Sequence, residues 1–523
     1  VSVALKAFCG AGLMAAGQDD IYGGMQLPCV IEKAGFAWFK GANVSTSAYP
    51  FLTIGNANTL LKCGSPEQIE RFVRPMLAGR FFGTMCLSEP QAGSSLSDIV
   101  TRAEPAADGS FRLFGNKMWI SGGDHELSEN IIHLVLAKVP GADGKLIPGV
   151  KGISLFIVPK WLVNDDGSLG ERNDVALAGL NHKMGYRGTA NCLLNFGEGK
   201  FQPGGKAGAV GYLVGSLHQG LAAMFNMMNE ARIGVGLGAV MLGYSGYLKS
   251  LDYARNRPQG RRAADKDPSR PQIPIIEHTD IRRMLLAQKA YAEGGLALIL
   301  YCARLVDEEK TAADTATRSR ATLLLDILTP IAKSWPSQWC LEANNLAIQI
   351  HGGYGYTREY DVEQLYRDNR LNPIHEGTHG IQALDLLGRK VVMQQGAALA
   401  LLSTNIRDTL ARCEDTALFA ALASRWDRLE QVTASLHQAG DPDLTLANAS
   451  VYLEAFGHLV MAWIWMEQSI AARRAVQEDH DFYAGKLQAC QWFFRWELPR
   501  VDAQLDLLVA MDTTALHMRD NWF

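Results

Sequence analysis

The period of hydrophobic residues changes twice along this chain, and those changes restrict the available folds more than any other feature. Up to about Ala78, apolar residues recur three and four apart, as at Leu60, Leu61, Ile69, Phe72 and Val73, the spacing of a helix face. From Gly83 the stretches FFGTMCLSEP, FRLFGNKMWIS, IIHLVLAKV, GISLFIVPK and CLLNF are short and rich in branched and aromatic residues, with Gly, Pro and Asp turns between them. They read as strands, and so many in succession imply an antiparallel barrel or sandwich. After the glycine-rich run EGKFQPGGKAG (198–208) the helical period returns, with Leu221, Met224, Phe225 and Met228 on one face. Long helices are predicted at about 278–309, 316–351 and 378–395, and a further apolar stripe runs through Leu453, Phe456, Val460 and Trp463.

With 523 residues the chain exceeds what one core can hold. The predicted fold is α+β and multidomain. It comprises an N-terminal helical domain (1–82), a middle β-barrel domain (83–205), a helical bundle (206–396) and an extra C-terminal helical domain (397–523).

Composition mainly excludes. A formal net charge of -4 offers no basic field for nucleic acid or an anionic membrane surface. No apolar run reaches the roughly 18–20 residues of an integral membrane span. Nine scattered cysteines without a CxxC pair argue against a disulfide framework or a structural zinc site, so no metal is expected and a reducing compartment fits. That compartment is the cytoplasm in a bacterial reading, or the mitochondrial matrix in a eukaryotic one. Val1 stands first, inside a helical pattern, so the true start is expected to lie upstream.

Five stretches could carry chemistry. MCLSEPQAGSS (85–95) is a strand running into a turn whose N–H groups and hydroxyls could hold a polar ligand, or a plain surface hairpin. NKMWIS (116–121) puts Trp119 and Ser121 two apart on one strand side, though a barrel Trp is more often core. YARNRPQGR (253–261) ends a helix with Arg257, which could grip a phosphate or simply suit the helix dipole. QIHGGYGYTREY (349–360) stops a helix at paired glycines but lacks Rossmann or P-loop spacing. IHEGTHG (374–380) sets Glu376 on a tight turn, either as an acid at the positive end of the next helix or as a base.

In this order the stretches resemble the acyl-CoA dehydrogenase family, specifically its long form with an extra C-terminal helical domain. CLSEPQAGSSLSDI, GNKMWIS and QIHGGYGY with RDNRLNPIHEGTHGIQ are similar to the family's signatures, and the match covers about residues 10–392. The resemblance implies FAD between a strand domain and a helical domain, with an acyl-CoA thioester against one flavin face. It implies that Met85 is among the cofactor-binding residues, that Leu87 and Ser88 meet the flavin ring edge, and that Trp119 and Ser121 flank ring and ribityl. Arg257, Gln349, Gly352 and Gly353 match positions reaching the FAD of a neighbouring subunit, hence a homodimer or homotetramer; Thr378 matches an FAD contact.

On the substrate side, Ser94 and Thr189 match positions near the CoA, Arg232 matches an arginine kept for structure and polarity, and Gly377 lets chain and ligand approach. Glu376 falls on the catalytic base. The alternative base position of some relatives is Ala231 here, with Glu230 one residue early. The implied reaction is α,β-dehydrogenation of an acyl-CoA to a trans-2-enoyl-CoA, with electrons leaving to an electron-transfer flavoprotein. The acyl group is a short one bearing a thioether, or a medium or long fatty acyl. An oxygen-using acyl-CoA oxidase and a silent acyl-CoA-binding relative are the rivals. Ser95, Gly260, His375 and Gly380 depart from residues frequent in the family, and His375 stands beside the base.

Overall fold

The computed structural model describes residues 1–141, 143–265 and 267–523, without the side chains of residues 225–229. Phe225 and Met228 of the predicted stripe therefore lie outside the described side chains. The chain forms two compact units, Val1–Ala231 and Arg232–Phe523.

The first unit opens with helices Ser2–Gly10, Cys29–Ala42 and Val44–Cys63, followed by ten strands: β1 Phe81–Cys86, β2 Arg102–Pro105, β3 Phe111–Ser121, β4 Asn130–Lys138, β5 Ile153–Pro159, β6 Trp161–Val163, β7 Leu169–Arg172, β8 Val175–Leu180, β9 Asn191–Phe196 and β10 Ala209–Val214. Pairing β4-β5-β10-β3-β2 and back to β4 closes a ring, with β1 added beside β4 and β9-β8 beside the far half of β3. The barrel is antiparallel except where β1 runs parallel to β4 and β2 touches β4 at Arg102 and Lys138. The helices before β1 return the chain to enter in that direction, which periodicity alone cannot indicate.

Every residue of β4 is buried, because both faces are covered. Val135 and Ala137 join Ala103, Phe111, Leu113, Phe156, Val158 and Ala209 inside the ring. Ile132, Leu134 and Leu136 point the other way, into a core with Ala57 and Leu60 of helix Val44–Cys63 and with Phe72, Val73 and Met76.

The second unit is helical. Thr279–Thr311 and Thr315–His351 are joined by three residues, which makes them antiparallel neighbours, and Val362–Asn369, His379–Asp385, Met393–Ala411, Thr416–Gln438, Ala449–Ala475, His480–Trp492 and Arg500–Val509 follow. The predicted helix at 378–395 is interrupted. It stops at Asp385, a wide turn bonds Val391 N–H to Leu386 O at 3.1 Å, and Gln394, Gln395 and Gly396 adopt left-handed backbone. Helix Ala449–Ala475 is buried all round between residues 455 and 466, so its four-residue stripe understates its burial. Among the described residues no helix is long and apolar enough to cross a membrane, and no group of His, Cys, Asp and Glu is arranged to hold a metal.

Candidate active site

In the first unit, β1 delivers MCLSEP into a loop held by one buried carboxylate. Glu89 accepts from Val100 N–H at 2.8 Å, Thr101 N–H at 3.0 Å and the Lys117 ammonium at 2.9 Å. Lys117 also donates to Leu87 O at 3.0 Å, and Met118 N–H donates to Ser88 O at 3.0 Å. Burial alone would raise the Glu89 pKa, but Lys117 and the N–H donors outweigh it and hold the carboxyl at about 2. This pins Leu87 and Ser88 at the end of β1, with Met85 and Leu87 partly packed against the helical core. Ser94 is exposed on the loop beyond.

Trp119 is not core. The β3–β9 register shifts between Lys117 and Ile120, and both of those residues are buried, although regular alternation would put them on opposite faces. The extra residue leaves Trp119 in left-handed backbone (φ 66°) and 60% exposed, an unfavourable conformation for a bulky residue and a common mark of functional sites. Ser121 follows two residues on, accepting from Asn191 Nδ2 at 3.4 Å. Thr189 does not offer a free hydroxyl. It is buried, and its Oγ1–H donates to Ser45 O at 2.6 Å, which ties the approach to β9 to helix Val44–Cys63.

In the second unit, the Glu376 turn is built from two consecutive left-handed residues, Glu376 (φ 52°) and Gly377 (φ 85°). Gln382 Nε2 donates to Glu376 O at 3.1 Å, and Lys333 Nζ donates to Gly377 O at 2.6 Å. Thr378 caps the next helix, its Oγ1 accepting from Ile381 N–H at 3.3 Å. A chain of amides moors the turn from the other side. Asn344 donates to Leu242 O at 2.8 Å, Asn369 donates to Asn344 Oδ1 at 2.7 Å, Asn372 donates to Asn369 Oδ1 at 2.8 Å, and His375 Nε2 lies 3.0 Å from Asn372 Oδ1.

The Glu376 pKa is raised by removal of water, against the pull of Lys333 and Arg232. Lys333 itself falls to about 7 because burial outweighs its attraction to Glu376. Arg232 is buried and donates to Asp385 Oδ2 at 2.8 Å, and Asp385 stays below the usual carboxylate value, despite burial, because of Arg232 and Arg389. An alanine at 377 would be strained, and its Cβ would lie 2.4 Å from Gln382 Nε2. Gly377→Ala is therefore expected to lower thermal stability by about 1–3 kcal/mol and to reduce turnover, checked by melting curves and steady-state kinetics on the same preparation.

Arg257, Gly352 and Gly353 come together in the same unit, lining an open cleft of about 440 Å³ with Tyr253, Ile275 and His351. His351 stacks on Tyr253 with ring centres 4.4 Å apart, and the Arg257 guanidinium lies 5.4 Å from the Tyr354 ring centre. Gln349 is exposed one turn earlier and is not among the lining residues; its carbonyl accepts from Gly352 N–H. Gly352 (φ 60°, ψ -139°) occupies a region that only glycine enters readily.

Sequence reading missed Lys333, Gln382 and the asparagine chain. A single lysine inside the apolar run ILTPIAKSW was the available signal for Lys333.

Comparison with known proteins decides the family. Residues 84–198 match "Acyl-CoA dehydrogenase, middle domain", 218–391 match "Acyl-CoA dehydrogenase, C-terminal domain", and 402–519 match "Acetyl-CoA dehydrogenase C-terminal like". The chain is 35% identical to 3-methylmercaptopropionyl-CoA dehydrogenase of Ruegeria pomeroyi over 494 residues, 92% of this chain and 81% of that protein. This chain belongs to the acyl-CoA dehydrogenase family. A second member, a butyryl-CoA dehydrogenase of Syntrophomonas wolfei, is 34% identical over 99% of this chain and 86% of its own length. The fold agrees with a solved acyl-CoA dehydrogenase of Bacillus anthracis, complexed with FAD, at a TM-score of 0.77 and 20% identity, covering 98% of this chain and 84% of that one. This family member is thus an oxidoreductase with the acyl-CoA dehydrogenase fold and an extra C-terminal helical region.

Proposed function

We propose that this chain is an FAD-dependent acyl-CoA dehydrogenase whose Glu376 removes the proton alpha to the thioester. The observation that carries the reading is the state of Glu376, a half-buried carboxyl whose pKa is raised by burial, on a left-handed turn clamped through its own and the next carbonyl. An alpha C–H beside a thioester is a weak acid, and a carboxylate stripped of water is a stronger base towards it. Clamping fixes the approach, and Gly377 leaves room beside the carboxylate for a ligand.

The residues present suit FAD. Exposed Trp119 stands on a strained bulge two residues before Ser121, and Leu87 and Ser88 are fixed at a strand end. Thr378 keeps its hydroxyl hydrogen available while capping. The arginine, aromatic and glycine cleft around Arg257, Gly352 and Gly353 suits a phosphate-bearing group, in our reading one held by a second subunit of a homodimer or homotetramer, with Gln349 at its edge. When bound, FAD supplies the two-electron acceptor for the hydrogen leaving the beta carbon, so that the product is a trans-2-enoyl-CoA. Exposed Ser94 lies on a loop suited to CoA, and buried Arg232 keeps the carboxylate's surroundings polar. Electron-transfer flavoprotein is the proposed acceptor and the cytoplasm the proposed location. The named relatives support 3-methylmercaptopropionyl-CoA, or another short- to long-chain acyl-CoA, as substrate.

The test is a panel of acyl-CoAs mixed anaerobically with the yellow protein while flavin absorbance is followed. Rapid bleaching by at least one acyl-CoA, with slow peroxide formation on admitting air, is expected. A colourless preparation, no bleaching across the panel, or rapid peroxide formation would each overturn the reading.

A further inference from the structure

We propose that Lys333 is a positioning residue for the base turn: its ammonium, carried inside the helical unit, grips the carbonyl of Gly377 and so directs the adjoining Glu376 carboxylate. The inference rests on the reading of Glu376 as the base.

Lys333 sits on helix Thr315–His351 and is 0% exposed. Burying an ammonium is costly unless a partner repays the lost hydration, and an apolar side chain would fill the space without that penalty. The partner is not on its own helix. It is Gly377 O, 44 residues on and 2.6 Å from Nζ. Glu376 holds a backbone conformation that carries strain for a side-chain-bearing residue and persists only where the surroundings impose it. Three side chains impose it: Gln382 on Glu376 O, Lys333 on Gly377 O, and Thr378 on the helix that follows. Lys333 alone among the three brings a charge.

The charged and titratable groups around it come from each packed element. Arg232, on helix Gly220–Asn256, is engaged by Asp385, which also binds Arg389. His379 opens the helix after the turn, and His375 lies on the turn itself, bound to Asn372. Arg232 also draws on the Glu376 charge, but its Nη1 donates to Asp385 and it holds neither carbonyl of the turn, so removing Lys333 changes both the direction and the charge environment of the carboxylate. Loss of that positive charge lets Glu376 keep its proton to higher pH, and loss of the grip lets the carboxylate swing.

The experiment uses the full chain with its flavin and compares Lys333→Met, Lys333→Gln and Glu376→Gln. Lys333→Met should lower kcat by about 10- to 100-fold at neutral pH with little change in KM. It should also move the acid limb of the kcat/KM profile to higher pH, with flavin absorbance and circular dichroism unchanged. Lys333→Gln, neutral but still able to donate, should move the same limb with a smaller loss of kcat, and it carries the test if the methionine variant fails to fold. An unmoved limb in either folded variant, or wild-type kcat in Lys333→Met, overturns the inference. A Glu376→Gln enzyme that turns over normally would instead remove the base reading, so the two failures are distinguishable.

Discussion

Glu376→Gln lowers turnover by roughly 10²–10⁴-fold while leaving a folded, yellow protein. Glutamine has the same shape, and the turn's anchors act on main-chain atoms: Gln382 holds the carbonyl of residue 376, Lys333 that of residue 377, and Thr378 caps the next helix. All three survive the exchange, so the loss reports proton removal rather than collapse. In the wild type, rate should climb with pH through a limb lying above the ordinary glutamate range, because removal of water raises the Glu376 pKa. The deprotonated form is the competent one, so activity is present above that pKa and is lost as pH falls through it. The limb should vanish in Glu376→Gln. Near-normal turnover of the variant with an unchanged limb would move the base elsewhere.

Lys117→Met is expected to cost about 3–5 kcal/mol of stability, the typical result of stranding one member of a buried ion pair. Side-chain exposure is 0% for Lys117 and 2% for Glu89. Without the ammonium, Glu89 keeps its bonds to Val100, Thr101 and Gln91, but its charge has no counterpart inside the first unit's core. The loop after β1 loosens at the same time, because Lys117 also holds Leu87 O.

The sign of the pH dependence follows. Glu89 falls from an ordinary 4.5 to about 2, so it contributes stability that is full above the ordinary value and lost as pH drops through the lower one. Denaturant titrations of both proteins at neutral pH and near pH 3 should show the variant's deficit shrinking as acid protonates the stranded carboxylate. A variant as stable as the wild type at neutral pH would show that the pair contributes nothing.

Much of this organisation was legible in residue order. The two changes of period mark where strands begin and end, because alternation and the helical repeat bury different residues. The Glu376 turn was legible from IHEGTHG and its neighbours. What escaped depends on pairing across long separations or on single backbone angles. Lys333 and Gly377 meet only because a helix packs against the turn, and Asn344 reaches Asn369 across two packed helices. The direction of β1 beside β4 leaves no trace in either strand's pattern. Regular alternation puts Trp119 on the face of Lys117, and the register shift that turns it outward is a bulge no residue type announces. The break at Gln394, Gln395 and Gly396 ends a stretch whose composition is otherwise helical, with one glycine as its sequence sign.

Helix Ala449–Ala475 has a consequence of its own. Gly457 lies so close to Trp335 that a methyl group there would sit 2.7 Å from the indole, and Trp335 is two positions from Lys333. His437, in the same C-terminal region, lies 3.0 Å from Leu387 O in the wide turn that follows helix His379–Asp385. The late-arriving segment thus works as a keystone rather than an annexe. A nascent chain still lacking it would leave Trp335 and the carbonyl of Leu387 without the neighbours that brace them.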